Sequence, residues 1–417
     1  MNIIRNIKGS KDLLPGDTIQ WQKVENLIHD FTQKFGYKEI RTPIFEESIL
    51  FERGIGTETD IVNKEMYSWL DQGKKSLTLR PELTAPVARA YIQHELGKKN
   101  PINKLYYLGA LFRRERPQKG RQRQFHQFGV EVFGSVFPEQ DAEVILMAYS
   151  LLQSLGLNEI CLQINTIGSQ NNRLAYTTAL QDLLSGYRNH LSSLDQKRLD
   201  ANPLRLFDSK DPKCIELLDD KAPTIYDYIS KEDRNHFLSV CTILDNLSIP
   251  YIHDEKLVRG LDYYTHTTFE ITSEALGSQD ALCGGGRYDG LVEQLGGPST
   301  PAVGFAAGME RIIMALDQEA SIPSIDIFII LMGESAIQFG MKIANTLRIE
   351  GDLSVVTETL QRSLRAQMRE ANRLGAKHCI IIGQDEIDNS AFTIKNMAEG
   401  TQTNISKDDI INYFINP

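Results

Sequence analysis

Cysteine is scarce in this chain. Five occur in 417 residues, at 161, 214, 241, 283 and 379, with no CxxC pair and no His/Cys grouping at zinc spacing. A disulfide-stapled secreted scaffold and a zinc finger are thereby excluded, and the cysteines read as reduced packing residues. Walker A, GxGxxG and HExxH patterns are also absent, so a nucleotide would have to be held by something other than a P-loop or a Rossmann turn. No apolar run approaches the length of a membrane span, so no membrane association is expected. The opening residues MNIIRNIKGSKDLLPGD lack an apolar h-region, which makes a cytoplasmic address the expectation. A positive balance is missing too: 45 Lys and Arg stand against 55 Asp and Glu, for a net charge of −10. A histone-like polyanion binder is excluded on that ground, and a nucleic-acid partner would need local basic patches.

One such patch is present. Six of the eleven residues from 113 to 123 (RRERPQKGRQR) are basic. LYYLGALF (105–112) leads in and FHQFGVEVFG (125–134) leads out, both rich in aromatic and β-branched residues, with Pro117 and Gly120 between them. That pattern predicts an antiparallel hairpin with a long basic tip. Alternation along its second strand places Arg123, Phe125, Gln127, Gly129 and Glu131 on one face. A cation, an aromatic plate, an amide and a carboxylate in a row suit a small polar ligand carrying both phosphate and amine. Charge protection of a sheet edge is the ordinary alternative, but it does not account for Gln127 and Glu131 beside Phe125.

Upstream, Asp17 is the expected cap of a helix in which Trp21, Val24, Ile28, Phe31 and Phe35 recur at helical spacing until Gly36. YKEIRTPIF (37–45) reads as a strand broken by Pro43, and TLRPELTAPVARAY (78–91) as a strand, a proline-marked turn and a helix. A helix at 141–156 and a strand at 161–169 follow. Residues 170–245 turn polar and helical, which marks a helical insertion. Strand texture returns at LVRGLDYYTHTTFEITS (257–273), where Tyr264, His266 and Thr268 are expected opposite Tyr263 and Thr265. CGGGRYDGL (283–291) reads as a flexible turn, and VGFAAGMERIIMAL (303–316) as a strand running into a helix. The class is therefore α+β, with an antiparallel sheet, flanking helices and a helical insertion.

Pro323 and Ser324 mark a boundary between 1–322 and 324–417. Beyond it, strands and helices alternate as a small α/β (βαβαβ) domain with a parallel sheet. In its second helix (361–374), Arg362, Arg365, Arg369 and Arg373 fall within an arc of roughly 80° at 3.6 residues per turn. A solvated face explains such a stripe as well as phosphate contact does, although four arginines without a lysine fit phosphate better.

Isolated arginines complete the candidates: Arg113 with Glu115 at the hairpin's first strand, Arg259 ahead of LDYYT, and Arg311 on the helix after Gly304 and Gly308. Guanidinium suits a nucleotide phosphate because its planar donors engage two oxygens together. Each residue alone has an ordinary structural explanation. Their combination in one chain does not.

These segments resemble the class II aminoacyl-tRNA synthetases. FRRE (112–115) with the loop to Phe125 is similar to motif 2 and GFAAGMERI (304–312) to motif 3. The first helix with the strand through Pro43 is similar to motif 1. RGLDYYT (259–265) and GGGRYDGL (284–291) resemble the two segments that mark the histidyl-tRNA synthetase family, and TLRPE, QFHQFGVEVFG and ETDIVNKEMY (58–67) agree. The second domain resembles that family's anticodon-binding domain.

The resemblance implies ATP, Mg2+, histidine and tRNA(His) as ligands and a homodimer as the assembly. It implies formation of histidyl-adenylate, then transfer of histidine to the tRNA 3′ end. Arg113 would hold the ATP α-phosphate, Glu115 the adenine amino group, Phe125 the base, and Arg121 and Arg311 the distal phosphates. Arg259 would stabilise charge at the α-phosphate during attack. Glu82, Thr84 and Gln127 would bind the α-ammonium. Glu131 and Tyr264 would read the imidazole nitrogens, with Tyr263 and Tyr288 completing the pocket. Arg116, Gln118 and Lys119 would approach the acceptor end, and the 362–373 arginines the anticodon stem. No protein-held metal site is implied. Leu83 departs from the small residue usual in that place; an extended backbone would turn it away from the pocket.

Three other readings compete. A paralogous regulatory subunit of histidine biosynthesis would lack the catalytic arginines and the second domain, a stress-sensing relative would carry a kinase, and a synthetase for another amino acid would lack RGLDYYT and GGGRYDGL together.

Overall fold

The computed structural model describes residues 3–56, 59–279, 281–317 and 324–415. Glu58, the first residue of ETDIVNKEMY, and Pro323 at the expected boundary lie outside them. The chain forms two compact units, 1–319 and 320–417.

The first unit carries strands β1 (Lys38–Glu39), β2 (Phe45–Glu47), β3 (Tyr67–Leu70), β4 (Ser76–Leu79), β5 (Asn103–Phe112), β6 (Gln124–Phe133), β7 (Cys161–Thr166), β8 (Ile252–His253), β9 (Thr265–Thr272), β10 (Ala281–Arg287) and β11 (Ala302–Gly308). Eight of them form one sheet in the order β1-β5-β6-β11-β10-β9-β7-β8. Its inner pairs are antiparallel, and only the edge pairs β1/β5 and β7/β8 are parallel. Strands β2, β4 and β3 form a second, small sheet.

Alternation sends one set of side chains to each face of the large sheet. Phe128, Val130, Phe269, Ile271 and Phe305 pack beneath the helices Pro15–Lys34, Pro138–Ser154 and Lys231–Asn246. Trp21, Val24 and Ile28 are the buried stripe of the first of these helices. The opposite face carries a second core around Tyr107, Leu111, Val87 and Tyr288, and beside it the cavity described below. Residues between Gln170 and Asn246 are helical, with no strand among them.

Several expectations are corrected. Asp17 is not the helix cap: Leu14 is, and Asp17 three residues on accepts the Leu14 N–H at 3.3 Å. The segment 37–45 is not one strand, because Pro43 divides it into β1 and β2, which belong to different sheets. The glycines 284–286 are not a turn but the middle of β10. Tyr263 and Tyr264 precede β9, so alternation does not apply to them, and His266 sits at φ +48°. Leu83 is not extended (φ −116°, ψ −15°).

The second unit contains β12 (Ile327–Leu331), β13 (Val355–Thr357), β14 (His378–Ile382), β15 (Ala391–Asn396) and β16 (Gln402–Ser406), ordered β13-β12-β14-β15-β16. The first three are parallel, as the alternating pattern predicts. The sheet then continues antiparallel through β15 and β16, which the βαβαβ expectation omitted.

Candidate active site

The register of the large sheet builds the site. Glu131 on β6 faces Gly304 on β11, which faces Gly286 on β10; Gly129 faces Ala306, which faces Gly284. This face therefore has a floor of glycine and alanine between β6 and β9. Three of these glycines are covered by a neighbour's side chain. A Cβ at Gly129 would overlap the Tyr107 hydroxyl, one at Gly304 the Glu131 carboxylate, and one at Gly284 the Arg259 guanidinium. The glycine run thus makes room for charged groups lying across the sheet, where a side chain of its own would fill the space.

Above this floor lies a cavity of about 410 Å³. One group of lining residues is acidic and phenolic. Glu131 is 1% exposed, and its Oε1 accepts the Thr84 hydroxyl at 2.7 Å and the Tyr107 hydroxyl at 3.1 Å, while Oε2 accepts the Tyr288 hydroxyl. Burial pushes this carboxyl up to about 8; the hydroxyl bonds oppose the shift and nearby Glu82 adds to it. Glu82 accepts the Thr84 N–H at 2.7 Å and the Ala85 N–H at 3.0 Å, the first amides of the helix Thr84–Gln93. Burial raises it to about 7 against those amides and Arg113. The rings of Tyr263 and Tyr264 lie 4.7 Å apart, and Tyr288 meets Tyr263 edge-on at 5.4 Å.

The other group is cationic. Arg113 donates from Nε to the Pro81 carbonyl at 2.9 Å, approaches Glu115 at 3.8 Å, and stands 5.2 Å over the Phe125 ring. Arg121 reaches the second Glu115 oxygen at 3.3 Å. Arg311 donates to the Gly120 carbonyl at 3.3 Å and the Ala281 carbonyl at 2.7 Å. Burial and then Arg121 push its guanidinium below the ordinary value. Arg259 is paired with Glu270, and its Nε is a buried donor without a partner. Guanidinia that disfavour one another around a shared cavity form a site for an anion.

The structure brings Glu82, Thr84, Arg113, Glu115, Arg121, Phe125, Gln127, Glu131, Arg259, Tyr263, Tyr264, Tyr288 and Arg311 together around this cavity. Arg123 is not among them; it packs against the Gly9 segment. Leu83 is buried in the second core and also borders the cavity, so it does not turn clear of it. Arg116, Gln118 and Lys119 are exposed at the hairpin tip, where Gln118 and Arg121 exchange backbone hydrogen bonds.

In the second unit the four-arginine stripe breaks up. The helix is Leu364–Arg373, so Arg362 precedes it and pairs with Glu358 at 2.7 Å. Arg373 pairs with Glu370 at 2.5 Å. Arg365 and Arg369 remain exposed on the helix.

Sequence reasoning missed Glu270, Tyr107 and Glu310. Glu270 was legible as the one acid in TTFEIT, an otherwise uncharged strand that buries its neighbours. Tyr107 becomes visible only once the hairpin register sets it against Gly129. Glu310, which takes the His126 backbone N–H at 3.0 Å, is joined to it across 184 residues and left no local signal.

The sequence matches the histidyl-tRNA synthetase family over residues 9–312 and the anticodon binding domain over residues 326–416. The chain belongs to the histidyl-tRNA synthetase family. A histidine–tRNA ligase from Picosynechococcus is 45% identical over 413 residues, covering 99% of this chain and 96% of the relative. The structure of apo S. aureus histidyl-tRNA synthetase superposes with a TM-score of 0.83 at 39% identity, over 99% of this chain and all of that one. A Bacillus halodurans protein described as an ATP phosphoribosyltransferase regulatory subunit/histidyl-tRNA synthetase shares the fold, with a TM-score of 0.66 at 24% identity over 89% of this chain. The fold alone therefore does not separate this family from the regulatory reading; the 45% identity to a histidine–tRNA ligase over 413 residues does. No helix among the described residues is long and apolar enough to cross a membrane.

Proposed function

We propose that the cavity carries out both half-reactions of a histidyl-tRNA synthetase: histidine and ATP give histidyl-adenylate and pyrophosphate, and histidine then passes to the 3′ end of tRNA(His). The observation that carries this reading is one cavity with two chemistries, crowded guanidinia in one group and buried carboxyls ringed by hydroxyls in the other.

In this reading Arg113 and Arg259 bind the α-phosphate from two sides, and Arg121 and Arg311 take the distal phosphates. Glu115 receives the adenine amino group, and the base replaces Arg113 over the Phe125 ring. Arg259 supplies fixed positive charge where negative charge grows as the histidine carboxylate attacks phosphorus and pyrophosphate leaves. Glu270 holds that guanidinium in place.

Glu82, Thr84 and Gln127 bind the α-ammonium; Glu82 has lone pairs left beyond its two amide bonds. Glu131 already accepts three hydroxyls, so one acceptor position is left for an imidazole N–H, and the Tyr264 hydroxyl serves the other nitrogen, with Tyr263 and Tyr288 completing the pocket. A site built on such bonds rejects apolar isosteres, which would strand its polar groups.

Mg2+ belongs to the nucleotide substrate in this account. Glu115 and Glu270 are already engaged by arginines, and the described residues contain no cluster of three metal-ligating side chains. The ion then rides on phosphate oxygens, a common arrangement for magnesium. The acceptor end is assigned to Arg116, Gln118 and Lys119, and the anticodon stem to the 362–373 arginines. A homodimer is supported by the exposed Ile44, Phe45, Ile49, Trp69 and Leu70 on and around the small sheet. The five free cysteines accord with a cytoplasmic setting. Charging of a tRNA(His) transcript with labelled histidine, with a tRNA of different identity as control, tests the full reaction.

A further inference from the structure

None of the described residues lining the cavity comes from the helical insertion between 170 and 246. The insertion nevertheless grips the segment 259–264, which supplies five of them. Arg173, in the helix Gln170–Ser185, donates from Nη1 to the backbone carbonyls of Asp262 at 2.8 Å and Tyr264 at 2.7 Å. Asn202 donates from Nδ2 to the Asp262 carboxylate at 2.9 Å, while its Oδ1 accepts the Leu204 N–H at 3.2 Å. Arg205 reaches the Gly260 carbonyl at 3.4 Å. Gly260, Asp262 and Tyr264 are thus held within or beside the cavity-lining residues Arg259, Gly260, Leu261, Tyr263 and Tyr264.

The segment needs outside support. Residues 259–264 lie ahead of β9, beyond the reach of the sheet ladder. Arg173 takes the Asp262 and Tyr264 carbonyls, and two residues beyond Tyr264, His266 holds a left-handed φ of +48°. Holding a half-buried guanidinium against two neutral carbonyls is costly unless those bonds are made. Arg173 makes them both, and a planar donor gripping two carbonyls two residues apart fixes the path of the chain between them.

We propose that Arg173 and Asn202 are positioning residues for histidine activation: the insertion splints residues 259–264 so that Arg259, Tyr263 and Tyr264 face the cavity before any tRNA arrives. This rests on the synthetase reading above. It assigns the insertion a role in the tRNA-independent half-reaction, in place of one confined to nucleic-acid contact.

The test is histidine-dependent ATP–pyrophosphate exchange, which uses no tRNA, on the full chain carrying Arg173→Ala, Arg173→Lys or Asn202→Asp. Asn202→Asp keeps the acceptor for Leu204 but turns a carboxylate toward Asp262, so it disturbs the segment while leaving the insertion's own turn capped. Exchange in both Arg173→Ala and Asn202→Asp is expected to fall about tenfold or more in kcat and to rise in KM for histidine, a consequence of misplaced reacting groups. KM for ATP should change far less, because Arg113, Arg121 and Arg311 do not depend on the splint. Arg173→Lys, which can still donate to one carbonyl, should recover part of the loss. A merely structural role would move the melting temperature and the amount of active enzyme, leaving both KM values alone. Exchange equal to wild type in folded Asn202→Asp, with loss only in tRNA charging, overturns the proposal. Absence of exchange in the wild type is a separate result, and it overturns the synthetase reading itself.

Discussion

The carboxylate of Glu131 lies over Gly304, in the space that any side chain at that position would occupy. Arg259 stands in the same relation to Gly284. Two substitutions of a single methyl group therefore probe two different steps. Gly304→Ala displaces the residue assigned to the imidazole, and its added Cβ also meets the Val130 backbone carbonyl. It should cost about 1–3 kcal/mol of stability through overpacking and raise KM for histidine. Gly284→Ala displaces Arg259 and should lower kcat with a smaller change in KM. Steady-state exchange kinetics on both variants separates the effects; equal effects on the two parameters would count against the assignments.

Glu131→Gln keeps the shape of the side chain and replaces one of its acceptor oxygens by an NH2 donor. The loss of the acceptor for the substrate imidazole should weaken histidine binding about tenfold to a hundredfold. Binding of histidine measured by calorimetry reports this directly.

The same two carboxyls make the ligand-free protein sensitive to pH. Glu131 and Glu82 have folded values of about 8 and about 7, both above the ordinary 4.5. Between 4.5 and those values the folded protein keeps protons that the unfolded chain has released. Their contribution to stability is full below 4.5 and is lost as pH rises through 7 to 8. Thermal melting of the free protein should therefore show a component that declines over that window, and Glu131→Gln should flatten its upper part.

In the second unit, Arg365 and Arg369 should matter more for tRNA than Arg362 and Arg373, which already pair with Glu358 and Glu370. Replacing Arg365 or Arg369 by Gln should weaken tRNA(His) binding and reduce its salt dependence by about one charge. Exchange without tRNA should be unchanged. Salt titrations of binding check this, and an equal loss from all four arginines would contradict it.

Much of this site was legible before the fold was known, and the reasons differ by residue. Phe125, Gln127 and Glu131 follow from alternation along a single strand, and their apolar neighbours Phe128, Val130 and Val132 do point to the other side. Alternation failed at Tyr263 and Tyr264 because the strand begins after them. The glycines 284–286 carried a true signal that local turn chemistry misread. Glycine inside a strand marks close approach by a neighbour, and that neighbour, Arg259, comes from a segment outside the ladder. Arg362 looked helical because helix periodicity cannot see where a helix starts; Ser363 is its cap. The splint from Arg173 and Asn202 to Asp262 joins residues 60 or more positions apart and left nothing in the local pattern.

The central claim is that this cavity activates histidine with Arg259 as the cation at the α-phosphate. ATP–pyrophosphate exchange with each of the twenty amino acids, on the wild type and on Arg259→Ala, addresses it most directly. Exchange with histidine alone, abolished in Arg259→Ala while histidine still binds, is the result this account predicts. Wild-type protein that binds histidine but exchanges with no amino acid would contradict it, and would favour a regulatory histidine-binding role on the same fold.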